Sequence, residues 1–182
     1  MKIAILALQG AFAEHQEVLE SLGVQTFLVR NLQDWEQEKQ ALVIPGGEST
    51  AMTRIMRDLG LWTPIRHAIM EGLPVFGTCA GLIMLDDTHL GTMGITAQRN
   101  AYGRQLGSFF TQDEFAGIGR VPMTFIRAPF IERAGQEVEI LATVQGRVVA
   151  ARQQRQLVCA FHPELTPEDK RIHEFFLSIV RQ

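Results

Sequence analysis

Leu73-Pro74-Val75-Phe76-Gly77-Thr78-Cys79-Ala80-Gly81-Leu82-Ile83-Met84-Leu85 is the stretch on which the reading of the fold turns. Leu73–Gly77 is a short apolar run of the kind that forms a strand buried on both faces, and Ala80–Leu85 opens a helix directly behind it. The residues between, Gly77-Thr78-Cys79-Ala80-Gly81, have the strand–turn–helix grammar of a nucleophile elbow with cysteine in the place of serine. A residue at the tip of so sharp a turn takes strained backbone angles, and neighbours without side chains let strand and helix approach each other. The Cys79 sulfur then stands beside a helix amino terminus. That dipole favours a thiolate, and the Ala80 amide faces the place where an oxyanion would form. Taken alone, the same residues also suit a small apolar cysteine packed in a core turn.

Upstream, strand and helix alternate. Lys2–Ala7, Gln25–Val29 and Ala41–Ile44 read as strands, and Phe12–Leu22 as a helix ended by Gly23. Asn31–Lys39 is polar and carries no clear apolar period. Ser49 or Thr50 is expected to cap a helix in which Met52, Ile55, Met56 and Leu59 recur at helical spacing, and Pro64 to sit in the first turn of Ile65–Glu71. Downstream, Val121–Ile126, Val138–Val144, Arg147–Ala151 and Leu157–Phe161 read as strands. Gln145-Gly146 suits a hairpin turn, and Pro167–Val180 closes as an amphipathic helix. The pattern predicts a single α/β domain over 1–182. It is a three-layer sandwich with a largely parallel, flavodoxin-like central sheet and antiparallel additions in the C-terminal half.

Composition narrows the chemistry. The chain has 182 residues, 46% hydrophobic and 20% charged, with a net charge of −3 from 17 basic and 20 acidic side chains. That balance excludes a disordered tail and gives no general attraction to nucleic-acid phosphates. Two cysteines cannot make a disulfide scaffold. The longest mostly apolar stretch, Leu73 to Leu85, is interrupted by Pro74, Gly77 and Gly81, so no membrane span is expected. Ile3–Leu8 with Ala11-Phe12-Ala13 imitates a secretory signal but is short for one, so a buried strand and a cytoplasmic protein are expected.

A second segment turns the cysteine from a packing residue into a chemical one. In Phe161-His162-Pro163-Glu164, His162 follows an apolar strand, and Glu164, two residues on, projects to the same side in an extended chain. Glu164 then fixes the imidazole tautomer and leaves the other nitrogen free to take the Cys79 proton, with activity expected to rise near neutrality. Nucleophile, base and orienting carboxylate satisfy triad logic. A third segment, Pro45-Gly46-Gly47-Glu48-Ser49-Thr50, follows another strand, and the Gly47 amide is a candidate to complete an oxyanion pocket with Ala80.

Together these segments resemble the triad class I glutamine amidotransferases. Leu8-Gln9-Gly10-Ala11 with Glu14-His15, Asn100-Ala101-Tyr102-Gly103-Arg104-Gln105 and Ile126-Arg127-Ala128-Pro129 narrow the likeness to the glutaminase subunits of pyridoxal 5′-phosphate synthases. The resemblance runs from Met1 to about Val180. It implies hydrolysis of L-glutamine to glutamate and ammonia through a thioester on Cys79. The ammonia passes to the protein partner, a (β/α)8 synthase subunit. By resemblance Cys79, His162 and Glu164 are catalytic, and Gly47, Glu48, Ser49, Arg104, Ile126 and Arg127 contact glutamine. An arginine fork suits a carboxylate and Glu48 an ammonium. Only Lys2, Lys39 and Lys170 among the cations are lysines, so residue type alone would not single out Arg104 or Arg127. No cofactor and no metal are implied, and the spacing of Asp86, Asp87 and His89 fits no metal site.

Some stretches depart from the family pattern. Met84–Gly91 is short where relatives often carry more, and Phe110–Gly119 has no confident match. Cys159 is expected to point into the core, and His15, His67 and His173 to lie on helix faces. A different cysteine hydrolase on an α/β fold, a glutaminase subunit of another amidotransferase, and a binding module that has lost turnover are the alternatives.

Overall fold

A computed structural model describes residues 1–99 and 108–182. The first half runs β1 (Lys2–Leu6), α1 (Phe12–Ser21), β2 (Gln25–Val29), α2 (Leu32–Trp35), β3 (Ala41–Ile44), α3 (Ser49–Asp58), α4 (Trp62–Met70), β4 (Val75–Thr78) and α5 (Ala80–Leu85). The second half runs β5 (Ile95–Gln98), β6 (Ser108–Phe115), β7 (Gly119–Ile126), β8 (Phe130–Ala134), β9 (Glu139–Val144), β10 (Arg147–Gln153) and β11 (Gln156–Cys159). A 3-10 turn at Pro163–Leu165 then leads to α6 (Arg171–Val180).

Among the described residues, nine strands form one sheet along the path β2-β1-β3-β4-β11-β10-β8-β5, with β9 pairing to β10 off that path. β2, β1, β3, β4 and β11 are parallel, and the edge from β10 onward is antiparallel. β3, β4 and β11 are buried along their whole length, which is why their sequences lack polar alternation. The decisive pairing joins the last strand to the middle of the first half: β11 lies beside β4, with Cys159 opposite Thr78. Both strands therefore leave the sheet at the same edge, one into Cys79 and the other into His162.

Two close approaches explain the glycines of the elbow. A Cβ on Gly81 would stand 2.0 Å from the Ile44 carbonyl oxygen, and one on Gly77 would stand 2.6 Å from the Gly81 oxygen. The first turn of α5 is thus pressed against β3 and β4 at backbone distance, which admits no side chain.

β6 and β7 form a separate hairpin. Its inner face is aromatic: Phe109 stacks on Phe125 with centroids 4.5 Å apart, and Phe125 meets Phe161 at 5.8 Å. The unmatched Phe110–Gly119 stretch is the body and turn of this hairpin.

Several boundaries differ from the sequence-based expectation. Leu73 lies past the turn that ends α4, its amide donating back to the Ala68 carbonyl at 3.0 Å, so β4 starts at Val75. Asn31 caps the four-residue α2 through the Asp34 amide; the single buried Trp35 leaves no period to read. Glu48 caps α3 rather than Ser49 or Thr50, its carboxylate accepting from the Thr50 and Ala51 amides. The final helix starts at Arg171, because Asp169 accepts from the Arg171 amide and guanidinium and closes a turn before it. The sequence carries no strand expectation for β5, β6 or β8, because β8 is exposed over three of its five residues and β6 over four of its eight, which leaves little apolar signal. Among the described residues, no helix is long and apolar enough to cross a membrane.

Gly81→Ala is expected to destabilise the fold by at least the ~1–3 kcal/mol typical of overpacking. Gly94→Ala, whose Cβ would meet only ordinary contacts at 3.5 and 3.8 Å, should change little. Urea midpoints of the two variants, at unchanged slope, measure the difference.

Candidate active site

Cys79 sits at the tip of the elbow with φ 51° and ψ −105°, a strained conformation for a residue with a side chain. Its amide is anchored across the sheet to the Cys159 carbonyl at 2.8 Å, and its sulfur lies 3.9 Å from the Ile126 carbonyl oxygen. Ala80 is the first helical residue behind it, so its amide is among those with no acceptor inside the helix.

His162 follows β11, and its amide donates to the Thr124 carbonyl of the hairpin at 2.8 Å. Its ring faces the Cys79 side chain on one side, and both line one recess. On the other, Nδ1 lies 2.6 Å from Glu164 Oε1. Glu164 reaches the ring from the 3-10 turn rather than from an extended strand, so the expected contact forms by a different local geometry. Gly46 is the floor beneath the pair. A Cβ there would be 2.5 Å from His162 Cε1 and 3.3 Å from Cys79 Cβ.

The electrostatics follow from burial and these contacts. Burial opposes charge on His162, but the neighbouring Cys79 side chain and the Glu164 carboxylate, which accepts from the ring, outweigh it and raise the imidazolium from the usual 6.5 to about 10. The ring therefore holds a proton at neutral pH, and the expected rise in activity near neutrality does not come from His162 losing it. Burial pushes Glu164 up, yet the neighbouring His15 and His162 hold it below the ordinary carboxylate value.

Two adjoining recesses open on the sulfur. One, of about 320 Å³, is lined by Gly47, Glu48, Ser49, Cys79, Ala80, Ile83, Arg99, Arg127 and Pro129. The other, of about 300 Å³, adds Gly10, Ala11, Gly46, Ile126 and His162. Gly47, Glu48, Ser49, Ile126 and Arg127 are thus brought together around Cys79, whereas Arg104 lies outside the described residues. Glu48 is held as an anion at the rim, chiefly by the Thr50 and Ala51 amides and further by Arg99. Its own amide donates to Gln9 Oε1 at 2.7 Å. Arg99 was not singled out from the sequence. It lines the same recess and bonds to Thr50 Oγ1 at 3.1 Å, and no local motif marks it.

His15, His67 and His173 lie on helices as expected, but whereas His67 is exposed, His15 and His173 are fully buried, behind Cys79, His162 and Glu164. The signal was their spacing: His15 shares a face with Val18 and Leu19, and His173 with Phe176 and Leu177. Cys159 lies in the core. Asp86 accepts from the Thr88 amide and hydroxyl, from His89 and from the Ala97 amide, a turn lock and not an ion site. Among the described residues no cluster could hold a metal.

A cysteine elbow, an imidazole and a carboxylate in one line, opening on a recess that carries both charge signs, is the layout of a thiol amidohydrolase. The model of the SNO glutamine amidotransferase family matches residues 5–182. The chain belongs to that family. It is 54% identical to the pyridoxal 5′-phosphate synthase subunit PdxT of Streptococcus pneumoniae over 192 aligned positions, covering 100% of this chain and 99% of that relative. A solved glutamine amidotransferase structure superposes with a TM-score of 0.91 at 40% identity, covering 99% of both chains. A glutamine amidotransferase from Thermotoga maritima shares the fold at a TM-score of 0.64 and 11% identity, over 100% of this chain and 84% of that one.

Glu164→Gln removes the charge that holds the imidazolium and should move the His162 midpoint down from about 10 toward the ordinary 6.5. Imidazole ¹⁵N resonances followed against pH measure it.

Proposed function

We propose that the chain, acting as a single cytoplasmic domain, is the glutaminase subunit of a pyridoxal 5′-phosphate synthase. It hydrolyses L-glutamine and hands the ammonia to a (β/α)8 synthase partner. The observation that carries the reading is the contact of Cys79 with His162, backed by Glu164 at 2.6 Å, at the mouth of a recess that also holds Glu48 and Arg127. The full-length likeness to a subunit of that synthase supports the choice of partner.

Glutamine enters as a zwitterion. Arg127 and Arg99 offer guanidinium groups to its carboxylate, and Glu48 and the Ile126 carbonyl offer acceptors to its ammonium; Ser49 closes the wall beside them. The Cys79 thiolate attacks the side-chain carboxamide carbon, and the oxyanion that forms is met by the Ala80 and Gly47 amides. His162, already protonated, passes its proton to the departing nitrogen, so ammonia leaves as the C–N bond breaks and a γ-glutamyl thioester remains on Cys79. The now neutral ring takes a proton from water, the hydroxide attacks the thioester, and glutamate is released with the thiolate restored. Glu164 stabilises the imidazolium at each stage without taking its proton.

Cys79→Ala is expected to abolish glutamine-dependent ammonia release in the assembled synthase, by ~10³-fold or more. Synthesis supplied with free ammonia should be untouched. Glutaminase activity retained by the variant would overturn the nucleophile, and loss of ammonia-driven synthesis would overturn the division of labour between the subunits.

A further inference from the structure

Behind the triad lies a second pair of imidazoles that hydrolysis as described does not use. His15 on α1 and His173 on α6 are both 0% exposed, with His15 Nδ1 and His173 Nε2 2.9 Å apart. Phe76 of β4 packs edge-on against both rings, at 5.9 and 5.6 Å, so neither can swing away. His15 Nε2 faces two oxygens: Thr78 Oγ1 at 3.1 Å, one residue before the nucleophile, and Glu164 Oε2 at 3.4 Å. While Glu164 Oε1 grips His162, Oε2 is buried with no hydrogen bond among the described residues.

Hydrogen-bond satisfaction selects the tautomers. Burial pushes both rings below the usual imidazole value, so both are neutral at pH 7 and each carries one N–H. If His15 carried its proton on Nδ1, it would donate to His173 Nε2, and the proton of His173 would sit on Nδ1, a buried atom with no partner among the described residues. The bare lone pair of His15 Nε2 would also face the carboxylate. With the opposite assignment His173 Nε2–H donates to His15 Nδ1, His15 Nε2–H points at Thr78 Oγ1 and Glu164 Oε2, and only an acceptor is left unpaired. A buried carboxylate next to an N–H is far better placed than one next to a lone pair.

We propose that His15, oriented by His173, is a positioning residue of the triad: its Nε2–H is bonded to Thr78 and faces Glu164 Oε2 at 3.4 Å, and it holds that carboxylate ionised and turned toward His162. The inference rests on the triad reading above but adds a fourth and a fifth member, placed on the first and last helices of the chain. The titratable groups facing His15 are Glu164 and His162 from the triad, Glu14 on its own helix and His173 on α6; Glu164 in turn faces Cys159.

Two measurements on the whole chain test this without glutamine or partner. First, imidazole ¹⁵N shifts should show His15 as the neutral Nε2–H tautomer at neutral pH, with a midpoint below that of an unperturbed ring. An Nδ1–H tautomer, or a midpoint near the ordinary ~6.5, would sink the proposal. Second, without the donor Glu164 protonates more readily. In His15→Leu the acid limb of Cys79 alkylation by iodoacetamide should therefore move up by about one pH unit. His15→Gln, which returns an N–H near the Nε2 position, should bring it back. A reduced rate with the limb unmoved would mean that His15 only packs. If His15→Leu does not fold, the tautomer in the unaltered chain decides. Failure of glutamine turnover with both readouts as expected would instead count against the substrate.

Discussion

The site depends on one hydrogen bond between neighbouring parallel strands. The Cys79 amide, just past the end of β4, donates to the Cys159 carbonyl at the end of β11 at 2.8 Å. That bond holds a backbone with positive φ in place, and it does so from the strand that delivers His162 three residues later. Cys79 and His162 are therefore referred to each other through the sheet ladder, not through flexible loops. Rigid elements are what hold reacting groups within the fraction of an ångström that catalysis needs.

Around that bond the packing is dense enough to exclude alternatives. Gly81 touches Ile44, and Gly46 lies against both the His162 ring and Cys79 Cβ, so β3, β4, α5 and the His162 ring meet with no Cβ to spare. The β6–β7 hairpin then closes the site from outside the main sheet. The Thr124 carbonyl takes the His162 amide, and the Ile126 carbonyl faces the sulfur. One strand of this hairpin supplies main-chain oxygens to both ends of the Cys79–His162 contact.

What the sequence disclosed tracks what physical signal each part emits. Buried parallel strands such as Ala41–Ile44 announce themselves as unbroken apolar runs, and the elbow gains its chemical meaning only once Phe161–Glu164 supplies an imidazole and a carboxylate. Ile95–Gln98 at the sheet edge and Phe130–Ala134 beside it do not, since half-exposed residues follow no period. The Glu164 contact was expected for a reason that the structure replaces: a 3-10 turn, not strand alternation, brings it round. His15 and His173 were visible only as polar residues at apolar positions of two amphipathic helices. Their meeting depends on α1 and α6 packing on the same side of β4, which is long-range information that no local window contains. Arg99 shows the limit most plainly, because one arginine among many gains meaning only from the recess it lines.

The second thiol has a practical meaning. Cys159 is sealed in the core, and its burial, with Glu164 and Cys79 nearby, drives its ionisation well above the range of an ordinary cysteine. An electrophile that labels the native chain at mild pH thus has a single target. The stoichiometry of adducts by intact mass counts competent elbows directly, and the appearance of a second adduct reports that the sheet itself has opened.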